Sequence, residues 1–128
     1  MNGFRNRLKS EKLSVLDLIK RLKDLTPVPT AHGTGKKYVF RQNDEMSNAS
    51  TQVAYGIFQP GEVCEEHVHP TMFEYFFFIK GKGTYFIENE SYELKENFFL
   101  EIPAGLKHSL HANKGDVLEF IYWGVAID

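Results

Sequence analysis

Five histidines occur in this 128-residue sequence: His32, His67, His69, His108 and His111. Two of them, His67 and His69, stand two residues apart in a run, Val63–His69, that reads as a β-strand. Strand side chains alternate between faces, so both imidazoles point the same way. Pro70-Thr71-Met72 permits a turn into a second strand from Phe73, and Glu74 at its start returns a carboxylate beside the two rings. His108 opens a later strand just after Pro103-Ala104-Gly105. In a closed barrel a distant strand can supply a third imidazole across the lumen. Three neutral imidazoles and one carboxylate make a borderline nitrogen–oxygen donor set with one formal negative charge. Such a set suits one divalent transition metal, Fe, Mn, Ni, Zn or Cu, and not Ca or Mg. Four protein donors on an octahedral ion leave two positions for water or a bidentate substrate, which supports Lewis-acid catalysis or activation of bound water.

Other side chains take their places from the same alternation. Glu65 has the parity of His67: pointing inward it would be a hydrogen-bond partner of the ligands or a general base, and the alternative, beside Glu62 and Glu66, is a solvated surface carboxylate. Glu74 and Glu65 are therefore the candidate catalytic carboxylates. Phe76 and Phe78 share the parity of Glu74, and Phe86 on the next strand is expected to join them as a candidate substrate contact. The lumen would then be apolar with a polar metal at one end, a common design for a small-molecule site. His111 has the opposite parity from His108 and is expected to face away, and Cys64, of opposite parity from His67 and His69, reads as a small packing residue.

The elements that must position these groups are short strands. Lys37–Gln42, Thr51–Gln59, Val63–His69, Phe73–Lys80, Thr84–Glu88, Phe98–Ile102, His108–Ala112 and Val117–Ala126 read as strands, with a shorter one at Ser91–Leu94. Pro60-Gly61, Gly81-Lys82-Gly83, Asn89-Glu90 and Lys114-Gly115-Asp116 carry turn chemistry between them. Many short strands joined by short turns imply an antiparallel sandwich or barrel. Phe73–Ile79 is apolar on both faces, so its outer face is expected to be covered too. Before the strands, Leu13, Leu16, Ile19 and Leu22 recur at helical spacing, and Ser14 with Asp17 resembles a capping box, which predicts an α-helix over Leu13–Leu25. Thr26-Pro27-Val28-Pro29 ends it. Residues 1–30 are thus expected to be a helix and a proline-containing linker, and residues 31–128 one β-barrel domain. Gly33-Thr34-Gly35-Lys36 lacks the spacing of a phosphate loop, and no helix follows it.

Bulk properties fit one domain with a core of its own. Aromatic residues make up 14% of the chain, which favours strands, and the formal net charge is −2. No basic stripe points to nucleic acid. No apolar run reaches membrane-spanning length. The basic residues Arg5, Arg7 and Lys9 are not followed by an apolar run, so a secretory leader is not expected. The single cysteine fits a reducing compartment, and the expected location is the cytoplasm.

The stretch from Gly61 through His67, His69 and Glu74 to Gly81 resembles the first motif of the cupin superfamily: G, five residues, H-any-H, three or four residues, E, six residues, G. Every fixed position matches. Pro103-Ala104-Gly105-Leu106-Lys107-His108 resembles the core of the second motif. Two family positions differ. Asn97 stands where the family has glycine, and Ala112 where it has asparagine. Asn tolerates left-handed backbone well enough to keep the turn. The resemblance implies a jelly-roll β-barrel, often a homodimer, with a metal held by His67, His69, Glu74 and His108. It leaves function open, because one fold hosts many activities. Three readings follow: a metal-dependent oxygenase, isomerase or lyase acting on a keto acid, phenolic or sugar derivative; a non-catalytic small-molecule or sugar-binding sensor; and a sugar isomerase or epimerase that does not depend on the metal.

Overall fold

The computed structural model describes residues 19–46 and 48–127. Among the described residues ten strands run in chain order: β1 Val28–Pro29, β2 Lys36–Arg41, β3 Ser50–Phe58, β4 Val63–His67, β5 Met72–Lys80, β6 Gly83–Ile87, β7 Glu90–Leu94, β8 Phe99–Ile102, β9 His108–Ala112 and β10 Leu118–Ala126. They form a six-stranded sheet in the order β1-β2-β3-β10-β5-β8 and a four-stranded sheet in the order β4-β9-β6-β7. Each pairing is antiparallel. The two inner faces enclose one core.

Alternation decides which side chains fill that core. On β5, Glu74, Phe76 and Phe78 are buried, while Phe77 is 37% and Ile79 38% exposed. Phe76 and Phe78 stack with centroids 5.8 Å apart, and Phe120 of β10 packs against both. Tyr85, Leu94, Ile102, Leu110 and Leu118 complete the cluster. A buried aromatic removes roughly 150–250 Å² from water, so these rings dominate the hydrophobic stabilisation. The outer face of the six-stranded sheet is also aromatic: Tyr75 stacks on Trp123 at 5.4 Å, and Phe99 lies beside both. Phe77, Ile79 and Phe99 remain 37%, 38% and 58% exposed, so among the described residues the outer face of β5 is covered only in part.

The departure at Asn97 behaves as its chemistry requires. Asn97 has φ 68°, and its N–H donates to the Phe78 carbonyl at 2.7 Å. Asn is the residue besides glycine that enters this region most readily. Asn113, one place after Ala112, shapes the other loop through its backbone, donating to Lys82 O and accepting from Gly61 N.

The expected N-terminal helix is corrected over the part that the structure describes. Its first half, with the Ser14–Asp17 pair, lies outside the described residues. From Ile19 onward there is only a 3-10 turn at Leu22–Asp24, and the described residues contain no α-helix. The reason is that the apolar stripe finds no surface here: Ile19 is 63% and Leu22 37% exposed. Short helices draw most of their stability from packing an apolar face. The expected linker is corrected as well, because Val28 and Pro29 pair with Lys37 and Lys36 as the first strand. Proline is tolerated there because β1 is a sheet edge.

Candidate metal centre

His67 ends β4, His69 lies two residues on in the following turn, Glu74 is near the start of β5, and His108 opens β9. One ligand atom from each lies within 4.8 Å of all the others. Glu74 Oε1 is 3.1 Å from His108 Nε2 and 3.3 Å from His69 Nε2. The rings of His67 and His108 meet edge to face at 4.2 Å, and those of His67 and His69 at 4.8 Å. The four side chains marked out by the sequence therefore converge, although they come from both sheets.

Backbone carbonyls orient two of the imidazoles. His67 Nδ1 donates to Glu65 O at 2.7 Å, and His108 Nδ1 donates to Leu106 O at 2.8 Å. A proton fixed on Nδ1 leaves the Nε2 lone pair free to face the cluster, the arrangement that metal-binding histidines use. Gly105, at φ 87°, turns the chain just before His108, and its N–H donates to His69 O at 2.9 Å. That bond ties the loop before one ligand to the backbone of another.

Burial and charge oppose each other at Glu74. Burial pushes its carboxyl up, but the hydrogen bonds to His108 and His69 outweigh it and hold the group down at about 2. His69 is raised, first by its hydrogen bond to Glu74. Burial lowers His67, with the neighbouring imidazoles adding to the effect. The cluster thus keeps an ionised carboxylate among aligned imidazoles at neutral pH. This donor set fits a divalent transition metal: three nitrogens and one charged oxygen, mutually within reach, with two Nε2 atoms aimed by backbone bonds.

The cluster sits in a cavity of about 370 Å³ whose walls include Phe76, Tyr85, Phe120 and Tyr122, with Lys37 and Gln52 among its polar groups. Phe76 lines it as expected. Phe78 points inward but packs deeper, fully buried, in the core. Phe86 is corrected: it lies on the outer face, 38% exposed, with its ring against His111 at 4.8 Å. Tyr85 faces inward instead. The ladder with β9 sets this register, pairing Tyr85 with Leu110 and Phe86 with Ser109. His111 faces away from the cluster, as expected.

One bulge overturns the inward placement of Glu65 as a catalytic candidate and the parity assigned to Cys64. In the β4–β9 ladder Cys64 pairs with Leu110 and His67 with His108. Three steps along β4 match two along β9, so β4 carries an extra residue. A bulge of this kind re-aims the side chains on one side of it. Cys64 consequently lines the cavity, with Sγ 3.9 Å from His67 Nδ1. Glu65 is exposed on the outside and contributes only its carbonyl to the site. Burial pushes the Cys64 thiol up to about 11.

His32 is the residue that the sequence reading missed. Its ring lies 4.3 Å from that of His67 at a tilt of 36°, and it lines the cavity. With Cys64 and His67 it makes a second group of donor atoms within 4.8 Å, sharing His67 with the first. Its loop is fixed by Thr30, whose hydroxyl bonds both Thr34 O and Thr34 N, and by Glu62, which accepts from Gly35 N and Gln59 N. No spacing rule connects residues 32 and 67, so only the folded loop reveals the pair.

This geometry agrees with the comparisons to known proteins. Residues 54–124 match the cupin domain family, and the chain belongs to it. Among curated proteins none matches the sequence. Solved structures with the same fold include a predicted oxalate decarboxylase from Thermotoga maritima, 20% identical over 84% of this chain and 98% of that one, with a TM-score of 0.76. The cupin domain of Cnp3 from Schizosaccharomyces pombe is 10% identical over 85% of this chain and 74% of that one, with a TM-score of 0.72. KdgF from Halomonas is 14% identical over 80% and 90%, with a TM-score of 0.66. At such identities these likenesses establish the fold alone.

Proposed function

We propose that this cupin is a metal-dependent enzyme acting on a small oxygenated molecule, such as a keto acid, phenolic or sugar derivative, that coordinates the metal. The observation behind this reading is the convergence of His67, His69, Glu74 and His108, the first three of them lining a cavity large enough for a small organic ligand. A divalent ion there would supply Lewis acidity to oxygens bound to it. The chain's own residues do the rest. Phe76, Phe120 and Tyr122 exclude water and give the substrate an apolar wall. Tyr85 stays a neutral phenol because burial pushes its hydroxyl far above the usual range. The loop carrying His32 narrows the entrance beside His67.

The test is metal analysis of the purified protein, then a screen of small acids, diols and sugars with product analysis and O₂ uptake recorded. Stoichiometric metal with turnover of one class supports the reading. A protein that takes up no divalent transition metal sinks it. The same proposal extends to assembly: the uncovered aromatic face around Tyr75, Trp123 and Phe99 suits a second copy of this chain, since an apolar sheet face related by a two-fold axis meets itself. Sedimentation of wild type against Trp123→Glu checks that part.

A further inference from the structure

Lys37 is an ammonium group on the cavity lining with no counter-charge among the described residues. It lies on β2 opposite Gly56, a residue on the inward face of β3 that brings no side chain of its own. Lys37 lines the cavity, and its Nζ donates to Gln52 Oε1 at 3.2 Å. Among the described residues no carboxylate lies within ion-pairing distance of it. A half-buried ammonium held only by a neutral amide is under-satisfied, since it has three protons to donate and Gln52 takes one. Burial accordingly lowers its pKa.

The charge of the whole cavity points the same way. Glu74 is the one carboxylate on the described lining, against Lys36 and Lys37, and it is committed to His69 and His108. A divalent ion would add to the positive excess. The position of the pair is set by the sheet. Gln52 lies between Val53 and Ser50, which face Trp123 and Val125 of β10, and Gly124 between those two pairs with Glu74. Gln52 is therefore level with Glu74, two strands away, or roughly 10 Å between backbones. Between them the space over Gly124 is taken by the Thr51 hydroxyl and the Met72 thioether, which also line the cavity.

We infer that Lys37, oriented by Gln52, is an anion-reading group for the far end of the ligand, and that the substrate is an acid with an oxygen-chelating head at the metal and a carboxylate at Lys37. The inference rests on the metal-centred reading above and narrows its substrate class from oxygenated molecules in general to those carrying a separate carboxylate.

The test uses the full metal-loaded chain and two probes with the same chelating head, 2-hydroxyglutarate and 2-hydroxypentanoate, which differ in ending in a carboxylate or a methyl group. Binding is followed by calorimetry. Wild type is expected to favour 2-hydroxyglutarate by about tenfold or more, the scale of one charge-assisted hydrogen bond. Lys37→Met is expected to abolish that preference while leaving metal content and 2-hydroxypentanoate binding within about twofold, and Lys37→Arg to restore part of it. Wild type that holds metal and binds both acids alike overturns the inference and leaves the metal reading standing, as does a Lys37→Met protein that keeps the preference. A chain that holds no metal overturns both.

Discussion

His108 Nε2 lies 3.1 Å from Glu74 Oε1, and this contact joins the two sheets, since β9 belongs to the four-stranded sheet and β5 to the six-stranded one. The exposures are 2% and 8%, so water cannot readily replace either partner. His108→Ala is expected to abolish metal retention and to cost the metal-free protein about 1–3 kcal/mol, the scale of leaving a buried polar group short of a partner. Glu74→Gln keeps the shape and loses the charge. It is expected to weaken metal binding by more than about tenfold with a smaller loss of stability. Metal analysis and urea unfolding of both variants check this.

The same carboxylate gives the metal-free protein a defined pH response. Glu74 is held at about 2 against an ordinary 4.5, so its stabilisation is present above 4.5 and is lost as pH falls toward 2. His69 is raised above 6.5 by Glu74, so its stabilisation is full below 6.5 and is lost as pH rises through the folded value. The pair is expected to favour the metal-free fold most between pH 4.5 and 6.5. Metal binding runs the other way, because His69 must lose its proton to bind. Urea titrations over a pH series, with His69→Gln losing the decline above 6.5, measure the first effect. Metal titrations over the same series measure the second and should show affinity rising with pH.

Tyr85 and Phe86 are neighbours in sequence with opposite surroundings, 2% and 38% exposed. Tyr85→Ala is expected to cost about 3–5 kcal/mol, as for other large aromatics cut out of a core. Phe86→Ala should cost less than about 1 kcal/mol and leave ligand binding unchanged. The reverse order in thermal unfolding would place the wrong ring in the cavity.

Gly56 owes its identity to a contact and not to its backbone angle. A methyl group there would meet the ring of Phe120 at 2.5 Å, and that ring forms part of the cavity wall. Gly56→Ala is expected to cost about 1–3 kcal/mol by overpacking and to push Phe120 into the cavity. Weaker ligand binding with unchanged metal content is the accompanying sign.

Local signals made much of this protein readable. Turn chemistry and alternation located nine of the ten strands, because each strand buries one face and shows the other. The His-any-His spacing, Glu74 after a short turn and His108 after Pro103-Ala104-Gly105 marked the four donors, since such patterns are properties of neighbouring residues. Strand β1 escaped because two residues, one of them proline, carry no periodicity.

What only the tertiary structure decided was register and approach. One extra residue in β4 turned Cys64 inward and Glu65 outward, and alternation has no means of announcing a bulge. The β6–β9 ladder set Tyr85 inside and Phe86 outside. Ile19 and Leu22 have helical spacing yet stay exposed, because a periodic stripe becomes a helix only when a surface receives it. His32 reached His67, and Lys37 reached Gln52, through loop anchoring and sheet pairing between segments far apart in the chain. The sequence alone determined nine of the ten described strands and the four candidate metal donors, while the lining of the cavity was settled by pairing energies that no local pattern records.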